Sequence, residues 1–236
     1  MRLIPALACV AVLASCAAPA PLPAPDNATA PNFAPPSKGS LIVLVPPPQS
    51  KGTEVGENMM GTQLDSQLKA AGYRVATLQR DNYEQLWSQE AAAVGGVFDG
   101  ASGAVRPQAL ATALASLARR VCEEAKCALL IRQRLVSRQA KLEGSQAEWD
   151  GTRQQIRLSN THSRDYRFSG TTSALSVELI AVTDRGAFAF RRFGGATLPF
   201  ETNIRETKNE LRKNLFGTDT EITEGVRVAL EPLTKQ

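Results

Sequence analysis

The chain is short of the residues that carry most enzyme chemistry. One histidine, His162, serves 236 residues, so the commonest general base is available at a single position. It lies in Ser159-Asn160-Thr161-His162-Ser163-Arg164-Asp165, where serine, histidine and aspartate are neighbours in sequence. Catalytic triads are assembled from separated elements, and no Gly-x-Ser-x-Gly elbow accompanies this one, so an exposed loop is expected. One histidine with Cys122 and Cys127 five apart cannot close a tetrahedral metal set. Glu123 and Glu124 are adjacent and point in different directions on a helix. Gly95, Gly96, Gly100 and Gly103 lack the lysine and the serine or threonine of a phosphate loop. The expectation is a non-enzymatic chain with no cofactor and no metal. Charge of one sign is also scarce: 27 basic against 23 acidic residues leave a net +4, interleaved rather than blocked, which argues against a nucleic-acid footprint. No stretch reaches the roughly 18 uninterrupted apolar residues of a spanning helix, and no fixed repeat is visible.

What is present begins at the first residues. Arg2 precedes the apolar run Leu3 to Leu13, and Leu13-Ala14-Ser15-Cys16 follows; a charged start, a short apolar core and small residues before a cut are the parts of a secretory signal. Leu13, Ala14, Ser15 and Cys16 resemble the bacterial lipobox. The resemblance implies that Cys16 becomes the first mature residue and carries a diacylglycerol and an N-acyl chain, enough acyl chains for stable anchoring. Ala17 stands where inner-membrane lipoproteins often carry Asp, which implies the outer membrane, facing the periplasm. Ala17 to Ser37 is rich in alanine and proline, favours extended conformers and is read as a tether. Asn27-Ala28-Thr29 matches a glycosylation sequon, read as chance. The expected layout is a signal peptide over 1–15, lipidated Cys16 with its tether over 16–37, and a single periplasmic domain over 38–236.

Within the domain, Leu41 to Val45 reads as a strand buried on both faces. Val55, Met59, Met60, Leu64, Leu68 and Ala71 form a helical stripe before Gly72, Tyr73 to Leu78 a second strand, and Asp81 to Trp87 a short helix. Pro107 opens the clearest helix, with Leu110, Leu114, Leu117 and Val121 on one face. Cys127 to Val136 is a strand. Two hairpins follow, one about Asp150-Gly151, a pair suited to the positive φ of a tight turn, and one about Asp184-Arg185-Gly186. Ser159 to Thr172 reads as a loop, Glu206 to Phe216 as a weaker helix, and Glu221 to Leu230 as the closing helix. The fold class is α/β (α+β), a mixed β-sheet with hairpins and about four flanking helices.

Two further groups of residues stand out. Cys122 and Cys127 are the cysteines left after Cys9 and Cys16, and an oxidising periplasm favours a disulfide over two buried free thiols. Arg132, Arg134, Arg138 and Lys141 read either as a basic stripe for an acidic partner or anionic polymer, or as a solvated strand face. The order of elements, with Leu41 to Val45, Leu64 to Tyr73, Cys127 to Ile131 and Leu175 to Asp184, resembles the amino-terminal domain of TolB, the curli-secretion lipoprotein CsgG and the lipoprotein activators of penicillin-binding proteins. That resemblance implies binding to other envelope proteins, with homo-oligomerisation left open, and brings no catalytic residues. The expected function is a lipid-anchored periplasmic interaction module. An oligomeric secretion component or an envelope hydrolase are the alternatives.

Overall fold

The computed structural model describes residues 21, 24–159, 166–203, 208–218 and 220–235. In chain order the elements are β1 (Ala28–Thr29), β2 (Leu41–Leu44), α1 (Glu54–Ala70), β3 (Arg74–Thr77), α2 (Arg80–Ala93), α3 (Pro107–Ala125), β4 (Leu129–Gly144), β5 (Gln146–Trp149), β6 (Thr152–Gln155), β7 (Leu158–Ser159), β8 (Phe168–Thr183), β9 (Phe188–Thr197), β10 (Phe200–Asn203), β11 (Lys208–Leu211), α4 (Thr220–Ala229) and α5 (Glu231–Thr234). The main sheet has eight strands in the order β1-β9-β8-β4-β2-β3, with β5 pairing to β4 and β6 to β5. β2 is parallel to both β3 and β4, while β4, β8 and β9 run antiparallel in succession. A small sheet, β11-β10-β7, lies beside it. The protein is therefore α/β with a mixed sheet.

The parallel part explains where the helices sit. β2 connects through α1 to β3 on one side of it, and β3 returns through α2 and α3 to β4 on the other side of β2; same-handed crossovers in opposite directions put their helices on opposite faces. Ile42 and Leu44 accordingly join Met60, Leu64 and Leu68 of α1 in one core. Val43 and Val45 join Leu114, Leu117 and Val121 of α3 in another. A strand with two cores needs an unbroken apolar run, and Leu41 to Val45 provides it.

α3 ends with Lys126 in the left-handed conformation, φ 56°, and the chain reverses so that the Cys127 amide donates to the Cys122 carbonyl. Cys122 and Cys127 form a disulfide with their Cα atoms 4.5 Å apart. Closing so short a loop removes modest chain entropy, so replacing both cysteines with alanine is expected to lower stability by about 2 kcal/mol, measured by urea unfolding of the oxidised protein and the variant.

β4 and β8 are longer than the sequence indicates. Each has 16 residues, paired without a slip from Leu129↔Thr183 to Gly144↔Phe168. Residues 168–172, read as loop from their polar composition, are thus strand, because β4 completes their hydrogen bonds. At the Asp150-Gly151 turn both residues have positive φ, 42° and 74°, and the β5–β6 hairpin folds over toward β9. The Gly195 amide donates to the Asp150 carbonyl, Thr152 Oγ1 donates to the Gly195 carbonyl, and Gln154 Nε2 to that of Ala196. A third, smaller core of Ala140, Ala147, Trp149, Ala174 and Leu198 fills the space beneath.

α4 lies directly on β9 because both are glycine at the crossing. A Cβ built on Gly194 would fall on the Gly225 carbonyl oxygen, and one on Gly225 would come within 2.8 Å of the Gly195 carbonyl oxygen. Gly61 contrasts with these: inside α1, it has only Gln133 Nε2, at 3.9 Å, near an added Cβ. Gly61→Ala is expected to stabilise the protein by about 0.5–1 kcal/mol through helix propensity, seen as a higher urea midpoint at unchanged slope.

Two expectations need correction. From Lys208 onward, the helix expected over Glu206 to Phe216 is instead strand β11, paired antiparallel with β10 from Phe200↔Leu211 to Asn203↔Lys208, followed by a turn. The exposed, charged residues there suit a helix locally, but a neighbouring strand supplies backbone partners. The stretch expected as tether through Ser37 is also not free over its described part. Residues from Ala24 onward lie against the sheet, with Ala24 buried and Phe33 edge-on to Phe190 at 5.7 Å between ring centroids. A proline-rich segment cannot enter a central strand but can occupy an edge, and β1 takes the edge of β9.

Candidate functional site

The densest polar constellation lies on the face of the main sheet that α2 and α3 leave uncovered beyond Leu130. Side chains alternate along a strand, so Arg132, Arg134 and Arg138 share one face of β4 and Lys141 faces the other way. The single basic stripe expected from these four residues does not form; Lys141 instead pairs with Glu143 in solvent, both more than 70% exposed.

Each arginine is held by partners from elsewhere in the chain. Arg134 stands directly across from Glu178 on β8, and its Nε donates to Glu178 Oε2. Arg191 of β9 reaches the same carboxylate through Nε and Nη2, at 2.7 and 2.6 Å. The Glu178 side chain is 1% exposed, while Arg134 and Arg191 keep 34% and 39% of theirs in solvent. Burial alone would raise the Glu178 carboxyl; hydrogen bonds and charge from Arg134 and Arg191 outweigh it and hold the group below the usual carboxylate range. Arg132, mostly buried beside Tyr83, is pushed below its ordinary value, first by burial and then by the charge of Arg134, and its Nη1 has no hydrogen-bond partner.

Arg138 is bound on two sides. Its Nε and Nη2 donate to the two oxygens of Asp150, at 2.9 and 3.1 Å. Nη1 and Nη2 donate to those of Asp26, at 3.1 and 2.6 Å. Ser176 Oγ donates to Asp150 Oδ2 at 2.7 Å, and the guanidinium lies 4.3 Å from the centroid of the Phe193 ring. Two bidentate pairs orient the guanidinium and raise its already high pKa. Asp26 belongs to the strap ahead of β1. Its carboxyl would be raised by its partial burial, but Arg138 holds it below the ordinary value. Asn27 Oδ1 accepts the Phe193 amide at 2.9 Å, and the Ala30 amide donates to Ala189.

Chemically, this arrangement clamps. Carboxylates held ionised between arginines are weak bases, and Arg134, Arg138 and Arg191 each turn donors onto these carboxylates. Sequence reasoning found Arg132, Arg134 and Arg138 but not Glu178, Asp150, Ser176, Arg191 or Asp26. The available signal was Glu178, a lone charge in the otherwise apolar and small run Leu175 to Val182.

A second polar region lies between the β6–β7 segment and the start of α4. A depression of about 670 Å³ is lined by Arg153, Arg157, Glu201, Glu221 and Glu224 among others. Glu221, 4% exposed, accepts from Arg157 and Arg212, each at 2.6 Å, and from the Phe216 amide, tying the small sheet to α4. Leu13, Ala14, Ser15, Cys16 and His162 lie outside the described residues. Among the described residues no group of histidine, cysteine and carboxylate side chains is placed to hold a metal, and no helix is long and apolar enough to cross a membrane.

No protein-family model matches the chain, and no curated protein matches it. Among solved structures it is similar to the dodecamer of a PelC point variant from Paraburkholderia phytofirmans, with a TM-score of 0.37 and 8% identity, covering 86% of this chain and 93% of that one. No residue or role is carried over from that likeness.

Proposed function

We propose that the protein is a lipid-anchored, periplasm-facing interaction module of the bacterial outer membrane, without catalytic activity. The observation that carries this reading is the amino-terminal sequence: one basic residue, an apolar run too short to span, and Leu13-Ala14-Ser15-Cys16. Acyl chains on Cys16 hold the chain at the bilayer, and a domain whose buried carboxylates Asp150, Glu178 and Glu221 are paired with arginines offers surfaces rather than reactive groups. Its partners are other envelope proteins.

Fractionation tests the anchor. The wild-type chain is expected in the outer-membrane fraction and labelled by supplied palmitate, and Cys16→Ala in the soluble periplasmic fraction without label. Membrane attachment that survives Cys16→Ala overturns the reading. Cross-linking in living cells then tests the interaction role, with one dominant envelope partner expected. Recovery of self-cross-links alone, in a large uniform assembly, would favour a secretion component.

A further inference from the structure

If Cys16 carries the lipid, as the reading above requires, the strap decides how the domain meets the membrane. A tether running free to the start of β2 would let the domain turn in any direction. The strap does not run free: Asp26 is locked to Arg138, Asn27 to the Phe193 amide, and β1 to β9. From Cys16 to Ala24 there are 24 − 16 = 8 residues, which span at most about 28 Å fully extended. Pro19, Pro21 and Pro23 favour a polyproline rise nearer 3.1 Å per residue, or about 25 Å in all.

The direction of approach follows from the pairing. β1 is antiparallel to β9, with Ala28↔Arg191 and Thr29↔Phe190. Going back toward Ala24, the chain therefore travels past Phe193 to Arg138, toward the end of the molecule where β4 and β8 finish as a ribbon at Gly144↔Phe168. The opposite end carries the β8–β9 turn at 184–186. The strap docks beside Arg138, from which the ribbon tip at Gly144 is about 20 Å away along β4 and the other end at Leu129 about 30 Å, with the β8–β9 turn further still; a reach of about 25 Å covers the first distance and falls short of the second.

We propose that the docked strap orients the domain, setting the β4–β8 ribbon end against the phospholipid headgroups and the β8–β9 turn away from them. The ribbon suits headgroups rather than acyl chains. Its outward row on β4 is Ser137, Gln139, Lys141 and Glu143, all exposed or half-buried, and the residues paired with them on β8 are Leu175, Ser173, Thr171 and Ser169. Tyr166, 38% exposed, stands just before the ribbon's tip, a side chain suited to an interface because it has an apolar body and a polar end. The surface is therefore a contact for a polar lipid face.

The experiment uses the acylated full-length protein on vesicles of phosphatidylethanolamine and phosphatidylglycerol containing a headgroup-nitroxide lipid. A fluorophore is attached to a single introduced cysteine, Lys141→Cys at the ribbon or Arg185→Cys at the far turn, with Cys122 and Cys127 kept oxidised. Quenching at position 141 is expected to exceed that at 185 severalfold. In an Asp26→Ala/Asn27→Ala background the strap loses its side-chain locks, and the difference is expected to shrink while vesicle binding persists. Equal or reversed quenching in vesicle-bound protein overturns the orientation and leaves the anchor standing, as does a difference unchanged by releasing the strap. A protein that carries no acyl mass on Cys16 and does not bind vesicles overturns both.

Discussion

Gly194→Ala is expected to lower stability by about 3 kcal/mol, the upper part of the range for overpacking a tight interior, and the melting temperature by about 10 °C for a protein of this size. The reason is the kind of atom the new methyl group meets. At most crowded positions a side chain can turn aside, but the atom facing Gly194 is the Gly225 carbonyl oxygen, which α4 holds in place. Relief requires moving α4 off β9, and α4 also buries Ile222, Val226 and Ala229 in the larger core. Gly225→Ala should act in the same direction but less strongly, because its Cβ would meet carbonyl oxygens at 2.8 and 2.9 Å. Gly100→Ala, with nothing near its added methyl, serves as the neutral comparison. Thermal unfolding of the three variants checks the order; a Gly194→Ala protein that melts with wild type would mean that α4 does not approach β9 this closely.

The second large effect concerns Glu178. Removing both arginines, Arg134→Ala with Arg191→Ala, strands a carboxylate that is 1% exposed. Breaking a buried pair from that side is expected to cost about 3 kcal/mol at neutral pH. Either single variant should cost distinctly less, since the other guanidinium still reaches Glu178. Glu178→Gln should also be milder than the double variant, because Arg134 and Arg191 keep about a third of their side chains in water and can hydrate.

The pH dependence separates this from a simple packing loss. In the wild type the Glu178 carboxyl is held below its ordinary 4.5, so its contribution is complete above that pH and is lost as pH falls through the folded value. In the double variant the bonds from both arginines are gone and burial, which favours the neutral acid, is opposed only by the charge of Arg132. The stability gap between the two proteins should therefore begin to narrow above pH 4.5, as the variant's raised carboxyl takes up its proton, and go on narrowing as pH falls below 4.5 through the wild-type folded value. Urea unfolding across that range measures it, and a gap of constant size would show that charge pairing is not what the arginines provide.

Several elements were legible because a short stretch of sequence carries enough physical information by itself. Leu41 to Val45 has five apolar residues in a row, and only a strand between two cores uses them all. Leu110, Leu114, Leu117 and Val121 behind Pro107 define one helical face, and α3 buries Leu114, Leu117 and Val121. Asp150-Gly151 satisfies a turn that demands positive φ at both residues. The arginine face was half legible: alternation places Arg132, Arg134 and Arg138 together, and the same alternation, applied strictly, separates Lys141.

What stayed hidden depends on partners far away in the chain. Lys208 to Leu211 has no strand signature of its own; β10 makes it a strand by offering a ladder. Residues 168–172 were extended for the same reason, through β4. The strap reads as a spacer because prolines and alanines cannot build a core, yet an edge needs only a few backbone groups, an Asp to meet Arg138 and an Asn to meet Phe193. By itself, then, the sequence determined the α/β class, the central strand, the principal helix and both hairpin turns, since periodicity and turn chemistry act over a few residues. Only the tertiary structure decided the arginine–carboxylate pairing, the Gly194–Gly225 crossing and the docked strap, because each joins groups from segments that come together only when the chain folds.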